Sequence, residues 1–189
     1  MVLSNLPIHK SKREARKPPF FLTMPYSYDY FKIEVGKHLI KSFPPSTRIL
    51  DVGAGSGKYG AMLRFWFNDI DALEIFEPYI EQFKLNEIYN NVHIGNIIDF
   101  DISIYDYIIM GDILEHLSVE NAHDLLSKIH LLGKKCLVAI PYTMEQGEVN
   151  GNIYEKHLQS DLTHDVFLFR YPMMKELYRN HEYGYYINY

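Results

Sequence analysis

Three glycines at alternate positions follow an acidic residue at the end of a short apolar run, in the order Asp51-Val-Gly53-Ala54-Gly55-Ser-Gly57. Glycine has no Cβ atom, so the chain can turn sharply here and pass close to a ligand. If a helix begins at the next residue, its N-terminal amides and the positive end of its dipole point into the same turn. The spacing therefore predicts a turn that binds a nucleotide-type ligand between a strand and a helix.

Two other kinds of nucleotide-binding turn compete for the same glycines. A Walker phosphate loop needs a glycine where Val52 stands and a serine or threonine where Tyr59 stands, and these residues exclude it. A dinucleotide turn of the Rossmann type is matched by Gly55-Ser-Gly57-Lys-Tyr-Gly60, but that register begins late after the strand. The dinucleotide turn stays open as an alternative.

The pattern of residues 51–57 resembles the first motif of the class I S-adenosylmethionine-dependent methyltransferases. This resemblance implies a Rossmann-like α/β fold, with a mostly parallel seven-stranded sheet and helices on both faces. It also implies S-adenosylmethionine as the cofactor, with Glu74 at the end of the second strand binding the two ribose hydroxyls, because a carboxylate accepts both hydrogen bonds. Glu77 is the rival for this role, but it lies nearer a helix start, where an acidic side chain offsets the dipole.

Residues 92–96, 106–117 and 131–141 resemble the later strand ends of the same superfamily, in the same order. Where the family usually has an aspartate for the adenine amino group, this chain has Asn96, whose amide oxygen can still accept a hydrogen bond. The backbone amide of Ile97 would bind a ring nitrogen. The resemblance thus implies a cofactor site made of Asp51, Gly53, Ala54, Gly55, Gly57, Glu74, Ile75, Asn96, Ile97, Gly111 and Asp112.

Asp112, Glu115 and His116 have the spacing of side chains that share one helix face. They resemble the metal-binding pattern of ubiquinone-pathway O-methyltransferases and of small-RNA ribose methyltransferases, which implies a further ligand from His157 or His164. Such a set suits Mg²⁺, Mn²⁺, Fe²⁺ or Zn²⁺. The alternative is structural: Asp112 caps a helix, Glu115 completes a capping box and His116 packs at the strand end. Both interpretations stay open.

Residues 142–164 are polar and form a connection longer than the fold requires, which predicts a substrate lid. Such a lid follows the fifth strand at the edge where open α/β sheets bind ligands. Gln146 and Asn152 are candidates for hydroxyl recognition, and Tyr154 is a candidate for packing on the substrate. His157 is a candidate general base, together with His116.

These motifs need secondary structure that places them at one edge of a sheet. From residue 30 onwards short apolar runs alternate with amphipathic ones, which indicates a parallel sheet covered by helices. The predicted strands are Arg48–Val52, Ala72–Phe76, Val92–Ile94, Tyr105–Met110 and Lys135–Ile140. The predicted helices are Tyr30–Phe43, Lys58–Phe67, Pro78–Asn86 and Ser118–His130, the last with Ser118 or Asn121 as a cap.

The pattern changes after Pro141. Val166–Tyr171 and Gly184–Tyr189 are predicted as strands on either side of a short helix that begins near Pro172. Because a single strand-like piece follows that helix, the pattern leaves room for a sheet that is abbreviated at its C-terminal end.

Length and composition fit a single globular domain rather than a disordered chain: 189 residues, of which 47% are hydrophobic and 23% charged. No apolar run approaches the roughly 18 residues of a membrane span, and no secretory signal is apparent. The single cysteine, Cys136, excludes an internal disulfide. We therefore expect a cytoplasmic protein without a membrane partner, and the oligomeric state stays open.

Charge divides the chain into a basic arm, residues 1–25, and a methyltransferase domain, residues 26–189. Residues 1–28 hold five cations and one anion, whereas the remainder holds 14 cations and 23 anions. The acidic domain disfavours general binding to nucleic acid, although the arm leaves contact with RNA open.

Together these patterns predict a methyltransferase that transfers a methyl group from S-adenosylmethionine to a hydroxyl of a small molecule or glycan. One alternative is an RNA ribose methyltransferase with a divalent metal. Alternatives from other classes are an NAD-type oxidoreductase or epimerase and a non-enzymatic nucleotide-binding module. The NAD-type alternative is disfavoured because the Tyr171-x-x-x-Lys175 match comes late and contains Pro172.

Overall fold

Residues 30–189 are described by a computed structural model, and the predicted basic arm lies outside them. The helices are α1 (Lys32–Ser42), α2 (Lys58–Leu63), α3 (Pro78–Gln82), α4 (Val119–Leu131) and α5 (His164–Arg170). The strands are β1 (Arg48–Val52), β2 (Asp69–Glu74), β3 (Val92–Ile94), β4 (Tyr107–Gly111), β5 (Lys135–Pro141), β6 (Lys175–Arg179) and β7 (Tyr183–Ile187). Short 3-10 turns occupy Leu85–Glu87, Leu114–His116 and Ile153–Glu155.

The strands form one seven-stranded sheet in the order β3-β2-β1-β4-β5-β7-β6. The first five strands are parallel, and β7 pairs antiparallel with both β5 and β6. All carboxyl ends of β1 to β5 therefore lie at one edge of the sheet. The predicted α/β fold with a mostly parallel seven-stranded sheet is confirmed.

The central strands are buried on both faces. Along β4, Ile108 and Met110 belong to the core on one face, whereas Tyr107 and Ile109 belong to the core on the other. Helix α4 covers the first face with four buried apolar residues, and α1 and α2 contribute to the second. Burial on both faces explains why these strands are continuous apolar runs rather than alternating ones.

Most predicted elements agree with the structure to within a few residues. The predicted bounds of β1 and β3 are the observed ones, and Ser118 caps α4 by accepting a hydrogen bond from the amide of Asn121 at 3.1 Å. β2 begins and ends earlier than predicted. Its start is fixed by pairing of Asp69 with Arg48, whose side chains form an ion pair at 2.9 Å.

Two predictions for the C-terminal region are wrong. The segment predicted as the strand Val166–Tyr171 is α5, and the helix predicted near Pro172 is replaced by β6. Thr163 caps α5 by accepting from the amide of Val166 at 3.2 Å, and Phe167 and Tyr171 both face the core at helical spacing. With β6 and β7 both present, the sheet is not abbreviated.

None of the helices within residues 30–189 combines the length and the apolar character that crossing a bilayer requires.

Replacing Gly60 with alanine is expected to lower the free energy of unfolding by about 1–2 kcal/mol. A Cβ atom on Gly60 would overlap the ring of Tyr89, which is 6% exposed and cannot move into solvent. Overpacking costs about 1–3 kcal/mol, and alanine recovers up to about 1 kcal/mol as a better helix former. Urea unfolding measures the difference. Gly147→Ala is the control, since nothing lies within 4 Å of its added Cβ, and equal losses in the two variants would contradict the prediction.

Candidate functional site

The glycine turn after β1 has the backbone conformation that its composition predicts. Gly53, Gly55 and Gly57 have φ values of 62°, 50° and 74°, in the left-handed region that side chains with a Cβ atom rarely adopt. The amide of Gly53 donates to the carbonyl of Leu73 in β2 at 2.7 Å. The turn is therefore fastened to the neighbouring strand and lies at the carboxyl edge of the sheet.

Glu74, at the end of β2, lies against this turn and is only 3% exposed. One carboxylate oxygen accepts from the amide of Gly55 at 3.0 Å, and the other accepts from the amide of Phe76 at 2.9 Å. Burial raises the pKa of Glu74, while these backbone hydrogen bonds oppose the rise. Each oxygen keeps a second lone pair for a ligand. Its rival Glu77 is exposed at the start of α3.

Asp51 lies beneath the turn and is 2% exposed. The hydroxyl of Tyr89 donates to its carboxylate at 2.5 Å, and the same hydroxyl accepts from the amide of Gly60 at 3.3 Å. Burial raises the pKa of Asp51 to about 7. The contact of Asp51 with a cofactor stays a prediction.

The two residues predicted to bind adenine follow β3. Asn96 is exposed, and its side-chain oxygen accepts from the amide of Ile98 at 3.0 Å. Ile97 is buried. The hydrogen bond within this turn uses one lone pair of the Asn96 oxygen and leaves the other for a ligand.

Asp112 follows Gly111 at the end of β4 and has a φ of 55°, which is uncommon for a residue other than glycine. Its amide donates to the carbonyl of Ala139 in β5 at 2.9 Å. The hydroxyl of Tyr183 in β7 donates to its carboxylate at 2.5 Å. Three strands thus fix the position of this side chain.

The predicted arrangement of Asp112, Glu115 and His116 on one helix face is wrong. Only Leu114–His116 forms a 3-10 turn, which Asp112 precedes, and no side chain caps that turn. The capping alternative is therefore also wrong. Instead, Glu115 and His116 lie with His157, and one potential ligand atom from each lies within 4.8 Å of the others. His164 lies elsewhere, with Nδ1 at 3.1 Å from the hydroxyl of Tyr186.

This group, the glutamate–histidine cluster (Glu115, His116 and His157), is largely withdrawn from solvent. Glu115 is 1% exposed, and burial followed by the charge of Asp112 raises its pKa well above the ordinary value. Burial lowers the pKa of His116 to about 4, with the neighbouring His157 contributing, and burial also lowers the pKa of His157. The two imidazole rings meet edge to face with centroids 4.8 Å apart.

The loop between β5 and α5, the β5–α5 loop (residues 142–163), carries the predicted lid residues. Gln146 donates to the carbonyl of Glu155 at 2.8 Å, and Asn152 caps the 3-10 turn by accepting from the amide of Tyr154 at 3.0 Å. Gln146 and Asn152 thus hold the loop in shape, and Tyr154 is 47% exposed. Their contact with a substrate stays a prediction.

The same loop reaches across the carboxyl edge to α3. Glu155 accepts a hydrogen bond from the hydroxyl of Tyr79 at 3.2 Å. Burial raises the pKa of Glu155, the bond from Tyr79 opposes this, and the charges of Glu74 and Asp112 raise it further. Glu74, Asp112 and Glu155 therefore lie near one another at the carboxyl edge of the sheet, with Glu74 against the glycine turn, and we call this region the crevice.

An open cavity of about 460 Å³ lies beside His157. Polar residues of the β5–α5 loop dominate its lining, which consists of Glu145, Gln146, Gly147, His157 and Ser160. A polar ligand can therefore reach His157 of the cluster from outside.

Comparisons with solved structures show the fold. DhpI in complex with SAH superposes with a TM-score of 0.64 at 9% identity, over 82% of each chain. Magnesium protoporphyrin IX methyltransferase (ChlM) from Synechocystis PCC 6803 with bound SAH has a TM-score of 0.61 at 11% identity, over 82% of this chain and 80% of that one. The chain has the class I methyltransferase fold.

A third structure agrees with this assignment. CalS10, an amino pentose methyltransferase from Micromonospora echinaspora with SAM bound, has a TM-score of 0.57 at 11% identity, over 83% of this chain and 89% of that one. No protein-family model matches the chain, and no curated protein matches it either.

Several residues that position the site were not predicted from the sequence. Tyr79, Tyr89 and Tyr183 each direct a hydroxyl to an acidic side chain of the crevice or to Asp51 beneath it. Their partners are 38 to 76 residues away in sequence, so no local pattern signals them. Glu155 could have been suspected from its place in a long polar loop.

Proposed function

We propose that this protein transfers a methyl group from S-adenosylmethionine to a hydroxyl oxygen of a small molecule or glycan. The observation that carries the proposal is the buried carboxylate of Glu74, held beside the glycine turn by the amides of Gly55 and Phe76. Two adjacent ribose hydroxyls are donors that match such a bidentate acceptor. Carboxylate oxygens accept more than one hydrogen bond each, so those of Glu74 would accept from the ribose hydroxyls as well.

The charge of the crevice favours this cofactor over a dinucleotide. The charges of Glu74 and Asp112 both raise the pKa of Glu155, so the three acidic side chains lie near one another. S-adenosylmethionine carries a cationic sulfonium and an ammonium group, which such a field attracts. The pyrophosphate of NAD is anionic, so the same field repels it.

In the proposed reaction the acceptor oxygen attacks the methyl carbon in line with the bond to sulfur. The electron pair of that bond stays on the sulfur, which becomes neutral, and the acceptor loses its proton. The protein mainly aligns the two reactants, and we assign proton removal to the pair His116 and His157 beside the cavity. The proposal of a small-molecule acceptor is supported by the structural similarity to CalS10, an amino pentose methyltransferase.

Release of S-adenosylhomocysteine from the full-length protein tests the acceptor class. We expect release in the presence of S-adenosylmethionine and a pool of hydroxyl compounds, such as monosaccharides or phenols. We expect that short RNA does not increase this release. We also expect that removal of residues 1–20 leaves kcat/KM unchanged with the hydroxyl compounds that support release. Stimulation by RNA that falls steeply with salt and requires residues 1–20 would instead establish the ribose methyltransferase alternative.

A further inference from the structure

We propose that Glu115, His116 and His157 bind a divalent transition-metal ion. The three residues come from two separate segments, the 3-10 turn after β4 and the β5–α5 loop. One potential ligand atom from each lies within 4.8 Å of the others. Two imidazoles and a carboxylate are the donor set that Zn²⁺, Fe²⁺, Co²⁺ and Mn²⁺ accept, whereas Ca²⁺ and Mg²⁺ prefer oxygen alone.

Glu115 supplies an observation that is independent of the clustering. Its side chain is 1% exposed, and neither carboxylate oxygen has a hydrogen-bond partner within residues 30–189. A buried carboxylate without partners is costly, so native proteins pair it or use it to coordinate a metal. A cation between Glu115 and the two imidazoles would satisfy both oxygens.

The two histidines are already held as metal ligands usually are. Nδ1 of His157 lies 2.8 Å from the carbonyl of Met144, and Nδ1 of His116 lies 3.3 Å from the carbonyl of Lys156. A carbonyl can only accept, so each Nδ1 donates a proton and the Nε2 lone pair of each ring stays available. Backbone carbonyls in this role fix the tautomer and the orientation of coordinating imidazoles.

Coordination would bring the three side chains closer together. Metal–ligand distances of about 2.0–2.2 Å place neighbouring ligand atoms roughly 3.0–3.5 Å apart. The needed shift is small, and His157 lies in a loop beside the open cavity. The remaining coordination positions are then available to an acceptor in that cavity.

A bound ion would add a catalytic role to the proposed function. This catalytic role rests on the proposed function, whereas binding of the ion does not. A hydroxyl bound to a divalent cation releases its proton more readily, so the ion would activate the acceptor. His116 and His157 would then be ligands rather than the base. Binding of the ion itself does not require that a methyl group be transferred.

Titration of metal-free, full-length protein with Co²⁺ tests the site, because cobalt absorbs visible light in a way that reports nitrogen ligands. We expect saturable binding with new visible bands and a higher melting temperature. Glu115→Gln should weaken Co²⁺ binding at least about 100-fold, the upper range for losing a group that merely supports a ligand. This variant should fold without metal, because glutamine has nearly the same volume as glutamate and is neutral.

His123→Gln is the matched control, since this histidine lies on α4 with a side chain that is 53% exposed, and it should bind Co²⁺ like the wild type. No saturable Co²⁺ binding by the wild type, or equal binding by Glu115→Gln, would overturn the metal site. Binding of S-adenosylhomocysteine, measured on the same samples without Co²⁺, distinguishes the metal-site proposal from the proposed function. If the protein binds S-adenosylhomocysteine but not Co²⁺, the metal site is wrong and the proposed function is unaffected.

Discussion

Replacing Glu74 with alanine is expected to weaken binding of S-adenosylhomocysteine by about 1–3 kcal/mol, roughly 5- to 150-fold. The carboxylate is the acceptor proposed for both ribose hydroxyls, and it also holds the amides of Gly55 and Phe76. Its loss removes hydrogen bonds to a charged group and loosens the glycine turn at which the cofactor is proposed to bind. Isothermal titration calorimetry on the full-length protein measures the change without a known acceptor.

Glu77→Ala is the control for this variant, because Glu77 lies three residues away on the same segment and is exposed. We expect its affinity to stay within a factor of about two of the wild type, in keeping with surface substitutions. Glu74→Gln separates charge from shape: an amide cannot accept from both backbone amides, so it should also bind more weakly. Unchanged affinity in both Glu74 variants would mean that another residue binds the ribose.

Asp51 is expected to contribute a loss of stability as the pH rises from about 4 to about 7. The folded-state pKa of Asp51 is raised to about 7 by burial, whereas the unfolded carboxyl has a pKa of about 3.9. Between these values the folded carboxyl keeps a proton that the unfolded one releases, so higher pH favours unfolding. The contribution totals on the order of 2–4 kcal/mol and is complete above pH 7.

Asp51→Asn should remove this dependence, since asparagine cannot ionise and its side-chain oxygen can still accept from Tyr89. The variant should be more stable than the wild type at pH 8, by on the order of 2 kcal/mol, and nearly equal to it at pH 4. Urea unfolding at several pH values measures both. Asp124→Asn, at an exposed position on α4, is the control. Parallel curves for Asp51→Asn and the wild type would contradict the prediction.

Features encoded by neighbouring residues could be predicted from the sequence. The glycine turn follows from three glycines at positions where φ is positive, and β1 and β3 follow from short apolar runs with clear ends. Glu74 lies beside the turn because the carboxyl ends of parallel strands meet at one edge of the sheet.

Features that depend on distant partners could not be predicted. The sequence of α5 resembles a strand because aromatic residues are frequent in it. It is nevertheless a helix, because Thr163 caps it and the core contacts of Phe167 and Tyr171 have helical spacing. The glutamate–histidine cluster depends on how the β5–α5 loop folds back, which brings His157 to His116. The spacing of Asp112, Glu115 and His116 suggested a helix where only a 3-10 turn exists.

The hydrogen bond between Tyr79 and Glu155 joins the helix after β2 to the loop after β5, and β1 and β4 lie between those strands. If the proposed cofactor binds in the crevice, we expect it to exchange with solvent when the loop detaches. One such bond contributes about 1 kcal/mol, and loops of this kind open in microseconds to milliseconds. We therefore expect loop opening, together with the contacts of the proposed cofactor, to set the residence time of that cofactor, and we expect loop opening rather than bond making to limit turnover.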